Sequence, residues 1–165
     1  GKQPTFRNSC FRCEDVNEKI DTQSERIVSH HGKTLLYVPR TEGRNKGETF
    51  RVTTTDHFSR FDQVAGSEIG TLKDLAAMTQ VAMNTNAVMQ QRKHPEEEPS
   101  VNVLFGQDLG DPTSHLFIQA QTGSEFGGFG TWPPVFPVNG KIIVPVVLYR
   151  TPEEIAASAR EIIRL

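Results

Sequence analysis

The sequence predicts an α+β fold, an antiparallel sheet of about five strands with one long helix and a C-terminal helix packed on it. Three observations carry that prediction. Short runs rich in β-branched and aromatic residues recur between polar loops; a single proline-free stretch from Ser67 to Arg92 has helical periodicity; and the last segment opens on Thr151-Pro-Glu-Glu154. Strands outnumber helices, and the order hairpin, strand, long helix, two strands, loop, strand, helix suggests an antiparallel sheet with helices on one face.

Ile27-Val28 and Thr34-Leu-Leu-Tyr-Val38 flank His31-Gly32, a tight turn between two strands, so a β-hairpin is expected. Residues 40–47 have loop chemistry, and Thr49-Phe-Arg-Val-Thr-Thr-Thr55 alternates as a third strand. Ile69, Leu72, Leu75, Ala76, Met78, Ala82 and Met89 recur at helical spacing and define the long helix. His94-Pro-Glu-Glu-Glu-Pro99 breaks it into a solvated loop that places His94 at the surface, and Val101-Asn-Val-Leu-Phe105 resumes as a strand. Asp108 to Ser114 turns the chain into the strand Leu116-Phe-Ile-Gln-Ala120. A Gly/Phe-rich loop, Gly123 to Pro137, leads to apolar strands at Lys141–Val144 and Val146–Tyr149. Thr151 as N-cap, Pro152 at the first helical position and Glu154 at the third form a capping box for the terminal helix. The segment between the cysteines and Ser24 reads as polar and charged, with a turn at the cysteines.

A chain of 165 residues fits a single domain, 1–165, whose core does not depend on a metal alone. Its 18 basic and 20 acidic residues give a net charge of −2, without the basic runs of a bulk nucleic-acid binder. No apolar stretch reaches the ~20 residues needed to span a bilayer, and the first residues lack a signal-peptide centre, so an intracellular, non-membrane protein is expected.

Cys10 and Cys13 are the only cysteines, and their Cys-x-x-Cys spacing supplies half of a zinc site. A redox pair is the rival reading, but Glu14 and Asp15 beside it would disfavour a thiolate; two inert buried thiols are a third. Five histidines, 30, 31, 57, 94 and 115, could complete a tetrahedron. His57 and His115 lie at strand ends that converge if the strands are neighbours. His30 and His31 alternate to opposite faces of a strand, so at most one of them could join. Elsewhere, Asn102, Gln107, Thr113 and Ser114 could donate to a phosphate at the mouth of the sheet, although such residues commonly satisfy their own turns. Gly127-Gly-Phe-Gly130 neither leads a strand into a helix nor carries the lysine of a phosphate loop.

From Cys10 to the C-terminus the parts come in the order of the histidine-triad (HIT) superfamily. Cys10-Phe-Arg-Cys13 resembles the opening pair of many of these proteins. Gly47 to Val52 with Asp56-His57 resembles their strand ending in histidine, and the segments Leu72–Gln91, Asn102–Ser114 and Thr151–Leu165 resemble the long helix, the Asn-containing strand and the terminal helix. The segments Glu25–Ser29 and Leu35–Pro39 also look like the amino-terminal domain of the spliceosome-associated Cwf19 family, which would extend the expected location to the nucleus. The resemblance implies a zinc ion held by Cys10, Cys13, His57 and His115, and a nucleotide site including Asn102, Ser114, Phe117 and Gln119. It also implies a two-fold homodimer, with the apolar strand Lys141 to Leu148 as an edge to be covered.

The triad strand departs from the family motif His-φ-His-φ-His-φ-φ. Here it reads His115-Leu-Phe-Ile-Gln-Ala-Gln121, so Phe117 stands where the resemblance places the nucleophile, and a phenyl ring has no lone pair to attack phosphorus. The expectation is a zinc-stabilised HIT-like domain with no catalytic residue, acting as a nucleotide-, RNA- or protein-binding module. Two other readings stand beside it: an active nucleotide phosphohydrolase or nucleotidyltransferase, and a zinc-clipped interaction domain without a nucleotide pocket.

Overall fold

The computed structural model describes residues 10–39, 49–93, 95–107, 110–122, 136–138, 141–143 and 151–164. At its centre is a five-stranded antiparallel sheet. β1 (Ile27–His31) and β2 (Thr34–Tyr37) form the expected hairpin, closed by Gly32 in the left-handed region at φ +56°, where a side chain would be strained. β3 (Thr49–Thr54), β4 (Val101–Gly106) and β5 (Phe117–Thr122) complete the sheet in the order β1-β2-β3-β5-β4.

Directly paired residues share a face, so the register sorts the side chains. Leu36 faces Val52, Val52 faces Ile118 and Phe50 faces Ala120; these fully or nearly fully buried side chains form the inner surface of the main core. The long helix α3 (Ile69–Lys93) covers that surface with Leu75, Met78, Ala82 and Met89, a three-and-four spacing that puts all of them on one stripe. Its end is fastened to the next strand by Gln90, whose amide donates to the Ser100 carbonyl at 2.7 Å and accepts from the Ser100 N–H at 2.8 Å. The C-terminal helix α4 (Pro152–Arg164) adds Ile155, Ala156 and Ala159 to the same core. Its N-cap is made by Thr151: the hydroxyl accepts the Glu154 N–H at 3.1 Å and donates to the Glu154 carboxylate at 3.1 Å.

Two helices depart from the sequence reading. The charged stretch after the cysteines is a helix, α1 (Phe11–Asp21), with Cys10 as N-cap, where the sequence showed only a turn at the cysteines and a polar run. The Cys10 sulfur accepts the Cys13 N–H at 3.3 Å, doing with sulfur what a serine oxygen commonly does at this position. Cys13, Val16 and Ile20 form its buried or half-buried stripe, and Asp15 and Lys19 pair one turn apart. Val16 packs on Leu35 and Tyr37 to make a second, smaller core on the sheet face opposite α3. The short α2 (Phe61–Ser67) was likewise absent from the sequence expectation. Gln63 starts it by accepting the N–H groups of Ser59 and Arg60 at 3.0 and 3.3 Å.

The segment Lys141–Ile143 (β7) pairs with Phe136–Val138 (β6) in a separate two-stranded sheet, so it is not an edge of the main sheet; among the described residues those edges are β1 and β4. His94, the 40–47 loop, most of the Gly/Phe-rich loop including Gly127–Gly130, and the expected strand at 146–149 lie outside the described residues. No described helix is long and apolar enough to cross a membrane.

Candidate metal centre and the sheet face beside it

β3 and β5 are neighbours, with Thr53 paired to Phe117, so the residues just past the end of β3 meet those just before β5. The Leu116 N–H donates to the Phe58 carbonyl at 2.8 Å and the Thr53 hydroxyl donates to the Leu116 carbonyl at 2.8 Å, locking the two segments together. His57 and His115 are thereby set with ring centroids 5.3 Å apart, edge to face. The first turn of α1 brings Cys10 and Cys13 to the same point.

The four side chains are 2, 3, 9 and 5% exposed for Cys10, Cys13, His57 and His115, and their donor atoms all lie within 4.8 Å of one another. The Cys13 sulfur is 3.2 Å from His57 Nδ1 and 3.3 Å from His115 Nδ1, and the Cys10 sulfur is 3.6 Å from His115 Nδ1. Bonds of about 2.3 Å to sulfur and about 2.0 Å to nitrogen imply tetrahedron edges of roughly 3.3–3.8 Å, and these three sulfur–nitrogen separations fall within about 0.1 Å of that range.

The outer hydrogen bonds fix the tautomers. His57 Nε2 faces the Pro112 carbonyl at 2.9 Å and His115 Nε2 faces the Thr54 carbonyl at 2.9 Å. Carbonyl oxygens only accept, so each Nε2 carries the proton and each Nδ1 turns a lone pair inward. The Thr54 hydroxyl, 3.0 Å from His115 Nε2, gives its own proton to the Asp56 carbonyl at 2.7 Å and so reinforces that orientation. Burial pushes the His115 pKa down to about 3, helped by the neighbouring His57, which keeps the ring neutral as a metal ligand must be. The cluster could hold a metal ion such as zinc. With four protein ligands no position would be left for water, so the ion's role there would be structural. His30 and His31 are both exposed and stand apart from this cluster, His31 lying 3.9 Å from Asp74.

Two residues beyond His115, Phe117 opens β5 on the face that α1 partly covers. Through the register that face also carries Leu35 and Tyr37 of β2, Arg51 and Thr53 of β3, Gln119 and Gln121 of β5, and Asn102, Leu104 and Gly106 of β4. Phe117 is half-buried, its ring under two guanidiniums: the central carbon of Arg12 is 4.3 Å from the ring centroid and that of Arg51 is 4.9 Å. Arg51 also donates from Nε and Nη2 to the Gln119 side-chain oxygen at 3.2 and 2.7 Å, and the Gln119 amide passes on to Gln121 at 2.7 Å.

Of the four residues expected at a nucleotide, Phe117, Gln119 and Asn102 share this face, while Ser114 belongs to the turn before it, its N–H bonded to the Asp111 carbonyl at 3.1 Å. Gln107 and Thr113 serve local structure. Gln107 accepts the Phe61 N–H at 3.0 Å, and the hydroxyl and N–H of Thr113 hold the Asp111 carboxyl below its ordinary pKa. Sequence reasoning missed Arg12 and Arg51. Arg12 had a usable signal, because a residue between two convergent cysteines must lie beside whatever the cysteines approach.

No family model and no curated protein matches the chain. Solved structures do match in fold. The chain's fold is similar to part of that of solved uridylyltransferases and a galt-like protein. A uridylyltransferase superposes with a TM-score of 0.58 at 14% identity over 95% of this chain and 46% of its own. A mutant uridylyltransferase gives 0.56 at 14% over 95% and 48%, and a galt-like protein from Arabidopsis thaliana gives 0.54 at 14% over 91% and 48%. This chain thus spans about half the length of the structures it matches. The Cwf19 part of the sequence resemblance finds no support in these matches.

Proposed function

We propose that this chain is a metal-clipped, nucleotide-binding domain of the uridylyltransferase-like fold that lacks the nucleophile of nucleotidyl transfer. The observation that carries this reading is the identity and setting of Phe117. It lies two residues past a metal-site histidine on a partly open sheet face beside Gln119, in the position where the histidine-triad resemblance places an attacking imidazole. A phenyl ring there can neither attack phosphorus nor carry a nucleotidyl group, and removing such a group costs about 10⁴ to 10⁶ in rate.

Cys10, Cys13, His57 and His115 would hold zinc, which would tie α1 to the β3 and β5 strand ends. Ligand binding falls to the face beyond, where Asn102 and Gln119 offer polar groups, with Ser114 in the turn that precedes it. Since the fold neighbours are uridylyltransferases, uridine nucleotides are the first probes, with adenosine nucleotides beside them. Calorimetric titration of the purified chain with UMP, UDP and AMP is the test: saturable binding of one of them, without release or transfer of the nucleotidyl group, is expected. Turnover at rates typical of an enzyme would replace this reading with the active-transferase one, and absence of any nucleotide binding would leave an interaction domain.

A further inference from the structure

We propose that Arg12 and Arg51, laid on the ring of Phe117, form a binding site for a phosphoryl group, of the kind carried by a phosphomonoester or diphosphate. The inference rests on the nucleotide reading above only for what the phosphoryl group is attached to.

The two guanidiniums share neutral partners. Arg12 Nη1 donates to the buried Tyr37 hydroxyl at 3.2 Å, and Arg51, also a partner of Tyr37, donates to the Gln119 oxygen. Among the described residues no carboxylate lies within 4.0 Å of either. Asp15, the acidic residue whose charge reaches Arg51, is ion-paired with Lys19, and Lys19 itself sits 4.9 Å from the Tyr37 ring centroid. Three cations therefore surround two aromatic rings, and among the described residues the carboxylates nearby, Asp15 and Glu18, act on Lys19 while the two arginines have none within ion-pair distance, in a protein whose net charge is −2. Burial and the like charge of Arg12 both work against the ionised form of Arg51. A structure that gathers like charges on a half-buried surface is relieved when an anion sits between them.

Donor arithmetic suits a tetrahedral oxyanion. A guanidinium has five N–H groups in a planar fork, and the bonds above use only some of those on Arg51 and one on Arg12. The remainder can meet phosphate oxygens in the paired geometry that arginine favours. Two cations are better matched by a dianion than by a single carboxylate. Phe117 gives this arrangement a purpose: its π face orients both forks without consuming any donor.

The test uses the metal-loaded chain at fixed ionic strength, titrated by calorimetry with inorganic pyrophosphate, UMP, UDP and uridine. Pyrophosphate should bind, and Arg12→Gln or Arg51→Gln should weaken it at least tenfold, whereas Arg12→Lys should recover part of the loss. Arg51 is half-buried, so the fold and metal content of its variant are checked by circular dichroism and elemental analysis. Arg12→Gln, on the half-exposed first turn of a helix, carries the test independently, and side-chain ¹⁵N shifts of both arginines on adding pyrophosphate to the unaltered chain give a readout without substitution. Absence of pyrophosphate binding to the unaltered chain, or affinity in Arg12→Gln within twofold of it, overturns the proposal. The two readings fail separately. Nucleotide binding that ignores both substitutions removes the anion site and keeps the nucleotide reading, while arginine-dependent pyrophosphate binding with no gain from the nucleoside does the reverse.

Discussion

The ring of Phe117 lies across the backbone of its strand partner Gly106 so closely that a β-carbon at 106 would stand 2.2 Å from ring atom Cε1 and 2.4 Å from Cζ. No real pair of carbons tolerates that approach, so the bare glycine on β4 is what lets the ring lie flat beneath the two arginines. Gly106→Ala should therefore displace the ring and cost about 1–3 kcal/mol, read as a fall of several degrees in thermal melting. In a Phe117→Ala background the same change should cost little, because the clash has been removed. Equal losses in both backgrounds would mean that Gly106 matters for its own backbone and not for the ring.

The metal cluster makes a direct prediction. Purified protein should carry about one zinc per chain by elemental analysis, and Cys13→Ser should abolish it, since Cys13 contacts both histidines. Cys10→Ser and His115→Ala should lower metal content and melting temperature together. His30→Ala should leave both unchanged. Protein prepared without chelator and found free of metal would refute the site.

Acid should loosen the same region. The His115 pKa is about 3 in the folded chain against 6.5 for the free side chain. The unfolded chain therefore binds more protons between those values, so stability is complete above about pH 6.5 and falls as pH drops through the window, by up to about 1.4 kcal/mol per pH unit. A bound metal adds to the trend, because protons compete for Nδ1. Urea midpoints measured from pH 7.5 to 5 should decline, and a flat profile would count against a buried neutral His115.

Placing an imidazole at position 117 offers a positive test of the proposed loss of a nucleophile. In Phe117→His, a ring nitrogen can attack the α-phosphorus of a reactive adenylate, forming a P–N bond as the bond to the leaving group breaks. Intact-mass spectrometry should then show the chain heavier by one nucleotidyl group, with no adduct on the unaltered chain. Equal labelling of both would assign the adduct to another residue.

The expected two-fold assembly now points to β4. Among the described residues this strand has a partner on one side only, and it exposes Leu104 at 39% and Phe105 at 67%, apolar surface that invites pairing. Sedimentation should give a dimer that Phe105→Glu converts to monomer; a monomer mass at all concentrations would dispose of it.

The strands were legible because alternation and β-branching at Thr49–Thr54 or Thr34–Tyr37 are local signals, and α4 because its cap is written in four consecutive residues. The Cys₂His₂ cluster was legible for a different reason: two cysteines and two strand-end histidines are scarce residue types whose chemistry suits a common ion. α1 was missed because its apolar stripe is only Cys13, Val16 and Ile20, and its cap is a sulfur that reads as a ligand. α2 is seven residues long, too short for periodicity to register. The arginines on Phe117 were hidden for a physical reason. An arginine in an alternating strand reads as a solvent-facing position, and only the packing of α1 across the sheet shows that Arg51 meets Arg12 over a ring.

Arg12 is one of the two residues between Cys10 and Cys13, so the arc that a metal would cinch is the arc that aims a guanidinium at Phe117. Ion and phosphoryl group would then be thermodynamically linked: ordering the arc with one spares the other that cost. Such linkage runs equally in both directions, so whatever factor zinc adds to pyrophosphate affinity, pyrophosphate must return to zinc. A chain built this way would report the metal supply of its surroundings through how tightly it holds its ligand.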